Sequence, residues 1–155
     1  MMIEIYYGSE TGNTQIISHI LYDLLPNPKK ISPFNSFSLT SLDTQLEQTF
    51  IFLVSTTGNG DFPENARLGW KRLLQDKKKY KPPTNSPFHP VNYIIAGFGD
   101  TNYNSFCHTA KCLNRVLKRI PGFKELTPPT FFDAADLNQT EKIEDWLDTI
   151  ALMSH

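Results

Sequence analysis

The chain has 155 residues and a formal net charge of −1, because 15 Lys and Arg stand against 16 Asp and Glu. An apolar share of 39% with 12% aromatic residues excludes a disordered chain, and the length predicts one domain over residues 1–155 with a sizeable core. The near-neutral charge argues against a nucleic-acid partner, and the sequence shows neither a long apolar run nor an opening signal pattern, so we expect a cytoplasmic protein without a membrane segment.

The first half of the chain predicts strands and helices in alternation. Residues 2–7 are rich in β-forming side chains and predict a buried strand. A helix is expected over residues 14–25, and a short second strand over residues 37–39. Residues 49–54 are almost uninterrupted apolar sequence, which is typical of a central parallel strand buried on both faces. The first helix is expected to place its large aliphatic residues on one side: Ile16, Ile17, Ile20, Leu21, Leu24 and Leu25.

The second half continues the same alternation. Residues 80–90 contain four prolines and predict a surface loop or extended insertion. The other elements expected are a helix over residues 65–76, a strand over 91–97, a helix over 106–120, a short strand over 130–132, and a last helix with Ile143, Trp146, Leu147 and Ile150 inward. Such alternation implies a parallel sheet with helices on both faces, whose ligands bind outside the carboxyl ends of the strands.

The loop after the first strand has the composition of a phosphate site. Ser9, Thr11, Asn13 and Thr14 supply four hydrogen-bond donors where a helix N-terminus points its free N–H groups outward. An ordinary helix cap needs only one such residue, so the excess favours a ligand. Because no Lys or Arg precedes Lys29, the loop is not a Walker A motif, and a single phosphomonoester is the expected ligand.

Two further loops follow strands that are expected to be central in the sheet. Residues 55–61 contain two glycines that allow the backbone to turn toward a ligand. Residues 97–107 combine glycines with Tyr103, whose ring could cover a planar ligand by offset stacking. Taken alone, the second loop is also compatible with an ordinary turn, and the third loop is better explained by a half-buried surface tyrosine.

Taken together, residues 7–14, 55–61 and 97–103 resemble the flavodoxins, and especially the flavodoxin-like FMN domain of the diflavin reductases. The second motif is most similar to the methionine synthase reductase and iron–sulfur-assembly branches of that group. The resemblance covers nearly the whole chain. It implies a flavodoxin-like three-layer α/β/α sandwich with a five-stranded parallel sheet in the order 2-1-3-4-5.

The resemblance also implies FMN as the cofactor and a role for each matching residue. The phosphate loop would consist of Ser9, Glu10, Thr11, Gly12, Asn13 and Thr14. One edge of the flavin ring would be lined by Thr56, Thr57, Gly58, Asn59 and Gly60. The opposite side would be followed by Gly99, Asp100, Tyr103, Phe106 and Cys107, with Tyr103 on the ring. Asp136 would reach the cofactor rim from the acidic stretch over residues 133–136.

The implied function is electron transfer by one or two electrons, with no catalytic side chain and no metal. The electron donor would be an FAD/NAD(P)H reductase, and the acceptor a haem, cobalamin or iron–sulfur protein. The chain would be monomeric, and either a carrier by itself or the FMN domain of an NADPH-diflavin oxidoreductase. Acidic residues near the ring edge would steer a basic partner: Glu64, Asp100, Asp133, Asp136, Glu141 and Glu144.

The sequence departs from the family pattern at two positions. Thr57 stands where many relatives place an aromatic residue over the second face of the ring. That face is therefore expected to be either less shielded or covered by Phe62. Cys107 stands where many relatives carry Asn, which alters the hydrogen bonds available there.

Three other classes of function remain open at this stage. A phospho-receiver domain of similar topology would need carboxylates where Tyr7 and Thr56 stand. A cysteine phosphatase would need an arginine six positions after its cysteine, whereas Lys118 follows Cys112 at that distance. An FMN-dependent NAD(P)H quinone reductase is closer in fold, and it would be expected to be longer and to oxidise NAD(P)H by itself.

Overall fold

The computed structural model describes residues 1–43, 45–82 and 89–155. Residues 83–88, most of the predicted proline-rich loop, lie outside the described residues. The strands are β1 (Met2–Gly8), β2 (Lys29–Pro33), β3 (Gln48–Ser55), β4 (Val91–Gly99), β5 (Phe123–Glu125) and β6 (Thr130–Asp133). The α-helices are α1 (Asn13–Leu24), α2 (Glu64–Asp76), α3 (His108–Leu117) and α4 (Gln139–Ser154). Within the described ranges, no helix is long and apolar enough to cross a bilayer.

The strands form one parallel sheet in the order β2-β1-β3-β4, with β5 and β6 both paired to β4. β5 pairs with the first residues of β4, and β6 pairs with its last residues, so the two short strands share the fifth position. This arrangement confirms the expected order 2-1-3-4-5. β3 lies in the centre and is buried along nearly its whole length, as its apolar sequence predicts.

The predicted second strand over residues 37–39 is wrong. The second strand is Lys29–Pro33, an edge strand whose polar residues give little apolar signal. Phe37 and Leu39 are buried among 3₁₀ turns instead. Phe37 packs edge-on against Phe34, with ring centroids 5.7 Å apart, so its apolar character serves the core rather than a strand.

The helices cover the sheet in two layers. α2 and α3 share an apolar cluster on one face, and α1 and α4 share a cluster on the other. The buried stripe of α1 is Thr14, Ser18 and Leu21, and the buried Leu25, directly after the helix, continues the alternating spacing of four and three. The prediction that all six aliphatic residues of this helix face inward is therefore wrong for Ile16, Ile20 and Leu24, which are exposed.

Candidate functional site

A cavity of about 680 Å³ lies at the carboxyl edge of the sheet, where the loops after β1, β3 and β4 meet. This is the edge at which doubly wound sheets bind their ligands. The N-terminal parts of α1 and α4 complete its wall. The volume is within the range of small-molecule and cofactor sites.

The structure brings most of the predicted site residues together in this cavity. Its wall includes Glu10, Thr11, Asn13, Thr14, Thr56, Thr57, Gly58, Gly99, Asp100, Tyr103, Phe106 and Cys107. Five others are not part of the wall: Ser9, Gly12, Asn59, Gly60 and Asp136. Four of these five belong to the first and second loops, and only Asp136 stands apart from them.

The first loop is shaped to present the beginning of α1 to the cavity. Ser9 Oγ accepts a hydrogen bond from Gly12 N at 3.0 Å, which closes the loop on itself. Gly12 precedes the helix with φ of 91°, a conformation that favours glycine. No side chain caps the helix, so its first N–H groups remain available to a ligand. The hydroxyl-bearing Thr14 is buried in this first turn.

The second loop is fixed to the start of α3 through two threonines. Thr56 Oγ1 accepts from Thr109 N at 3.1 Å and lies 2.9 Å from Thr109 Oγ1. Thr109 Oγ1 also donates to Ser55 O at 3.0 Å. The Thr56 hydroxyl is therefore engaged by the protein, and its contribution to the cavity is to hold the loop in place.

Beyond Thr56, the second loop turns tightly. Thr57 and Asp61 exchange two backbone hydrogen bonds, at 2.9 and 2.8 Å. Gly58 and Gly60 both have positive φ, of 50° and 102°. The turn places Gly58 in the cavity wall with open space around its α-carbon, whereas Gly60 packs beside His108 and Ser105.

The third loop is held by Asp133, at the end of β6. One carboxylate oxygen of Asp133 accepts from Thr101 N at 3.0 Å, and the other accepts from Thr101 Oγ1 at 2.7 Å. Ala135 N also donates to this side chain, at 2.9 Å. These hydrogen bonds, those from Thr101 first, lower the pKa of Asp133 below its usual value. Tyr103 is 70% exposed at the tip of the same loop.

Cys107 ends the third loop in a left-handed conformation, with φ of 51°. Its side chain is buried, and its Sγ lies 3.9 Å from Phe132 O. Burial raises the pKa of the Cys107 thiol to about 12, so the thiol stays neutral at physiological pH. Cys107 can thus serve as a weak donor, and it is not a thiolate nucleophile.

Asp136 does not reach the cavity. Its carboxylate forms an ion pair with Lys142 and accepts a hydrogen bond from Asn138 N at 2.9 Å. Both contacts organise the start of α4. They also lower the pKa of Asp136, the hydrogen bond from Lys142 first.

The sequence reasoning missed the part of the wall that the helices supply. Side chains from α1 and α4 line the cavity beside the loops: Ile16, Ile17, Ile20, Gln139, Thr140, Ile143, Glu144 and Leu147. Ile143 and Leu147 were expected to be core residues only. The spacing of apolar residues shows that a helix has apolar sides, but it does not show which side packs on the sheet and which side lines a cavity.

The structure also answers the question raised by Thr57. Phe62 is buried and stacks on Trp70, with ring centroids 4.7 Å apart and planes 22° apart. Since Phe62 is not part of the cavity wall, it does not take the place of an aromatic residue at position 57. Thr57 itself lies in the wall. The second loop therefore presents no aromatic side chain to the cavity.

Comparison with protein families identifies this arrangement. Residues 5–146 match the flavodoxin family. This chain belongs to that family. Membership confirms the predicted class of cofactor, FMN, and the predicted class of function, electron transfer.

The curated relatives of the chain include two flavoproteins that are named as NADPH enzymes. The chain is 37% identical over 145 residues to the NADPH-dependent diflavin oxidoreductase 1 of Gibberella zeae, covering 93% of this chain and 22% of that protein. It is 30% identical over 146 residues to the sulfite reductase [NADPH] flavoprotein alpha-component of Buchnera aphidicola, with 94% and 22% covered. The chain thus spans about a fifth of the length of these relatives.

Solved structures show the same fold. A cysteine-to-alanine variant of the flavodoxin from Pseudomonas aeruginosa superposes with a TM-score of 0.73 at 21% identity, covering 99% of both chains. The oxidised flavodoxin 1 of Bacillus cereus gives a TM-score of 0.72 at 15% identity, covering 100% of this chain and 99% of that one. At these identities the likeness establishes the flavodoxin-like fold of the chain.

Proposed function

We propose that this chain binds FMN in the 680 Å³ cavity and passes electrons between a reductase module and an acceptor protein. The observation that carries the proposal is the uncapped first turn of α1, which opens into the same cavity as the second and third loops. A phosphate end and a ring end of one ligand can therefore be held by adjoining parts of one site.

The residues at the first loop suit the phosphate of FMN. Thr11, Asn13 and Thr14 line the cavity and can donate side-chain hydrogen bonds. The backbone N–H groups of the first turn and the helix dipole add to the attraction for an anion. No lysine or arginine contributes to the described wall of the cavity, so neutral donors would hold the phosphate.

The second and third loops suit the flavin ring. Gly58 and Gly99 bring backbone close to the cavity, and neither carries a side chain that would fill it. Tyr103 and Phe106 supply aromatic surface from the third loop. The ring would be held between this aromatic side and the non-aromatic side formed by Thr57.

FMN, when bound, supplies one- and two-electron redox chemistry, and the protein supplies binding, orientation and electrostatics. The Thr56–Thr109 contacts would keep the second loop in position during that chemistry. Asp133 would do the same for the third loop. Cys107 would keep its proton, because the pKa of its thiol is raised to about 12.

The partners follow from the relatives. The diflavin oxidoreductase and sulfite reductase flavoprotein are named as NADPH enzymes, and this chain matches only about a fifth of each. We propose that an FAD/NAD(P)H reductase module, in the same or another polypeptide, reduces this domain. The domain would then pass electrons to a haem, cobalamin or iron–sulfur protein, and residues 1–155 would act as one monomeric unit.

Anaerobic reduction distinguishes this function from that of an NAD(P)H quinone reductase. The FMN-loaded chain is mixed with NADPH alone, and the flavin absorbance is followed. We expect no reduction by NADPH alone, and rapid reduction when a catalytic amount of an FAD-containing NADPH reductase is added. Chemically reduced chain should then reduce cytochrome c in a stopped-flow experiment. Direct oxidation of NADPH by the chain would instead favour the quinone reductase.

A further inference from the structure

The outer face of α1 carries large aliphatic side chains that the core does not use. Ile16 is 60% exposed, Ile20 46% and Leu24 40%. Residues four apart lie on the same face of an α-helix, so these three form one stripe. Leu21 of the helix and Leu25 directly after it are buried in the core instead. The stripe is therefore additional to what the fold requires.

This stripe forms one wall of a groove between α1 and α4. Ile16, Ile17 and Ile20 line the same cavity as Ile143 and Leu147 of α4. We call these five residues the α1/α4 groove. At the far end of the two helices, His155 Nε2 lies 3.2 Å from Leu24 O, so the helices meet there. The groove is thus continuous with the cofactor cavity at one end, and α1 and α4 meet at its other end.

Acidic side chains flank the groove. Glu10 and Glu144 line the cavity together with its aliphatic residues. Asp148 follows Glu144 by one helical turn on α4, and Asp23 follows Ile20 by three positions on α1. All four of these acidic residues are exposed.

The described cations near these helices are already engaged. Lys142 forms the ion pair with Asp136. Lys29 donates to Tyr22 O at 2.6 Å, and its Nζ lies 4.3 Å from the centre of the Tyr22 ring. Lys142 is balanced by Asp136, whereas Lys29 keeps its charge, so the four acidic residues outweigh these two lysines and leave the α1/α4 groove with a negative charge.

We propose that the α1/α4 groove binds an amphipathic helix of a partner protein, with aliphatic residues on one side and Lys or Arg along its flanks. An apolar groove between two helices is a common receptor for such a helix. The acidic flanks favour basic residues beside the apolar contact, and they oppose an anionic lipid surface. The docked helix would contact the part of the cavity wall that α1 and α4 supply, beside the loops proposed to hold FMN, and its binding does not require FMN.

A peptide probe tests the proposal. The probe is a fluorescently labelled peptide of about 18 residues, or five helical turns, with Leu on one face and Lys elsewhere. A second peptide of the same composition has an order that breaks the helical periodicity. Fluorescence anisotropy is measured with the full chain, with and without FMN. We expect the amphipathic peptide to bind more tightly than the second peptide, and its affinity to fall as salt rises.

Matched substitutions locate the binding surface. The double variant Ile16→Gln/Ile20→Gln should weaken peptide binding about tenfold, because it removes apolar area that the complex buries. Leu68→Gln is the control, since Leu68 is 62% exposed on α2, in the opposite helix layer. This control should leave binding unchanged. Both substitutions replace exposed side chains, and circular dichroism would verify that the variants are folded.

Several outcomes would overturn the proposal. Equal binding of the two peptides would show that charge alone is recognised, and unchanged binding by the double variant would exclude the groove. Sedimentation of the chain without peptide tests whether a second copy of the chain occupies the groove instead. A wild-type dimer that dissociates in the double variant would assign the groove to that second copy and overturn the proposal. FMN titration of the wild-type chain is scored separately, so that failure to bind FMN would contradict the proposed function alone.

Discussion

Thr109→Val removes the hydroxyl that joins the second loop to α3. In the native chain this buried hydroxyl donates to Ser55 O at 3.0 Å and lies 2.9 Å from Thr56 Oγ1. Valine has nearly the same shape, so the substitution removes two hydrogen bonds and leaves the packing in place. The remaining bond from the backbone N–H at position 109 to Thr56 Oγ1 is not affected.

Two net hydrogen bonds of about 1 kcal/mol each predict a loss of about 2 kcal/mol in the free energy of unfolding. For a chain of this size that loss corresponds to a Tm lower by about 4–8 °C. Because the second loop forms part of the cavity wall, we also expect weaker FMN binding, measured by fluorescence quenching. Urea unfolding monitored by circular dichroism measures the change in stability.

Thr149→Val is the matched control for this experiment. The Thr149 hydroxyl donates to Asp145 O at 2.9 Å on the exposed side of α4. Its removal should change the free energy of unfolding by less than about 0.5 kcal/mol and leave FMN binding as it was. If the two variants lose the same stability, or if Thr109→Val binds FMN as tightly as the wild type, the Thr56–Thr109 contacts do not position the second loop.

Three other predictions concern the same site. Thr14→Val should lower FMN affinity about tenfold by removing one donor to the phosphate; an unchanged titration would exclude Thr14 from the phosphate site. Gly60→Ala should destabilise the chain more than Gly58→Ala, by about 1 kcal/mol in urea unfolding, because only the Cβ at position 60 would meet His108, at 3.2 Å; equal losses would contradict this packing. Because the pKa of Asp133 is lowered, the Asp133 carboxylate stabilises the fold fully above the usual carboxyl pKa of about 4, and this stabilisation is lost as the pH falls through the lowered pKa. Asp133→Asn should therefore flatten the pH dependence of the free energy of unfolding in that acid range. An unaltered pH profile would refute the role of Asp133 in holding the third loop.

The sequence was sufficient to predict the central strands of the sheet and the three loops that follow them. The uninterrupted apolar run of β3 can be accommodated only in a strand covered on both faces, and this places it at the centre of the sheet. The loops could be located because they follow strands and carry polar and glycine residues in excess of what turns need. Family resemblance then supplied the order of the strands.

There is a physical reason why the sequence did not predict the part of the cavity wall that α1 and α4 supply. In α1, the stripe that packs on the sheet includes Thr14 and Ser18, whereas Ile16 and Ile20 face outward. Hydrophobic periodicity assigns the aliphatic side to the core, so it gives the wrong face when a helix has two apolar stripes.

The sequence also did not predict the local environment of several single side chains. Phe62 could have covered a ligand or joined the core, and its stacking on Trp70 is decided by tertiary packing. Asp136 was assigned to the cofactor rim by resemblance, but Lys142 lies within reach and pairs with it. The second strand was misplaced because Lys29–Pro33 is an edge strand, in which polar side chains are tolerated.

The most direct test of the central claim is an NMR titration of the ¹⁵N-labelled chain with FMN. The account predicts binding with one FMN per chain, with amide shifts concentrated in residues 10–14, 56–60 and 99–107. The amides of α2, in the layer that does not line the cavity, should remain in place. Shifts concentrated in α2, or no shifts at all, would contradict the assignment of the cavity to FMN.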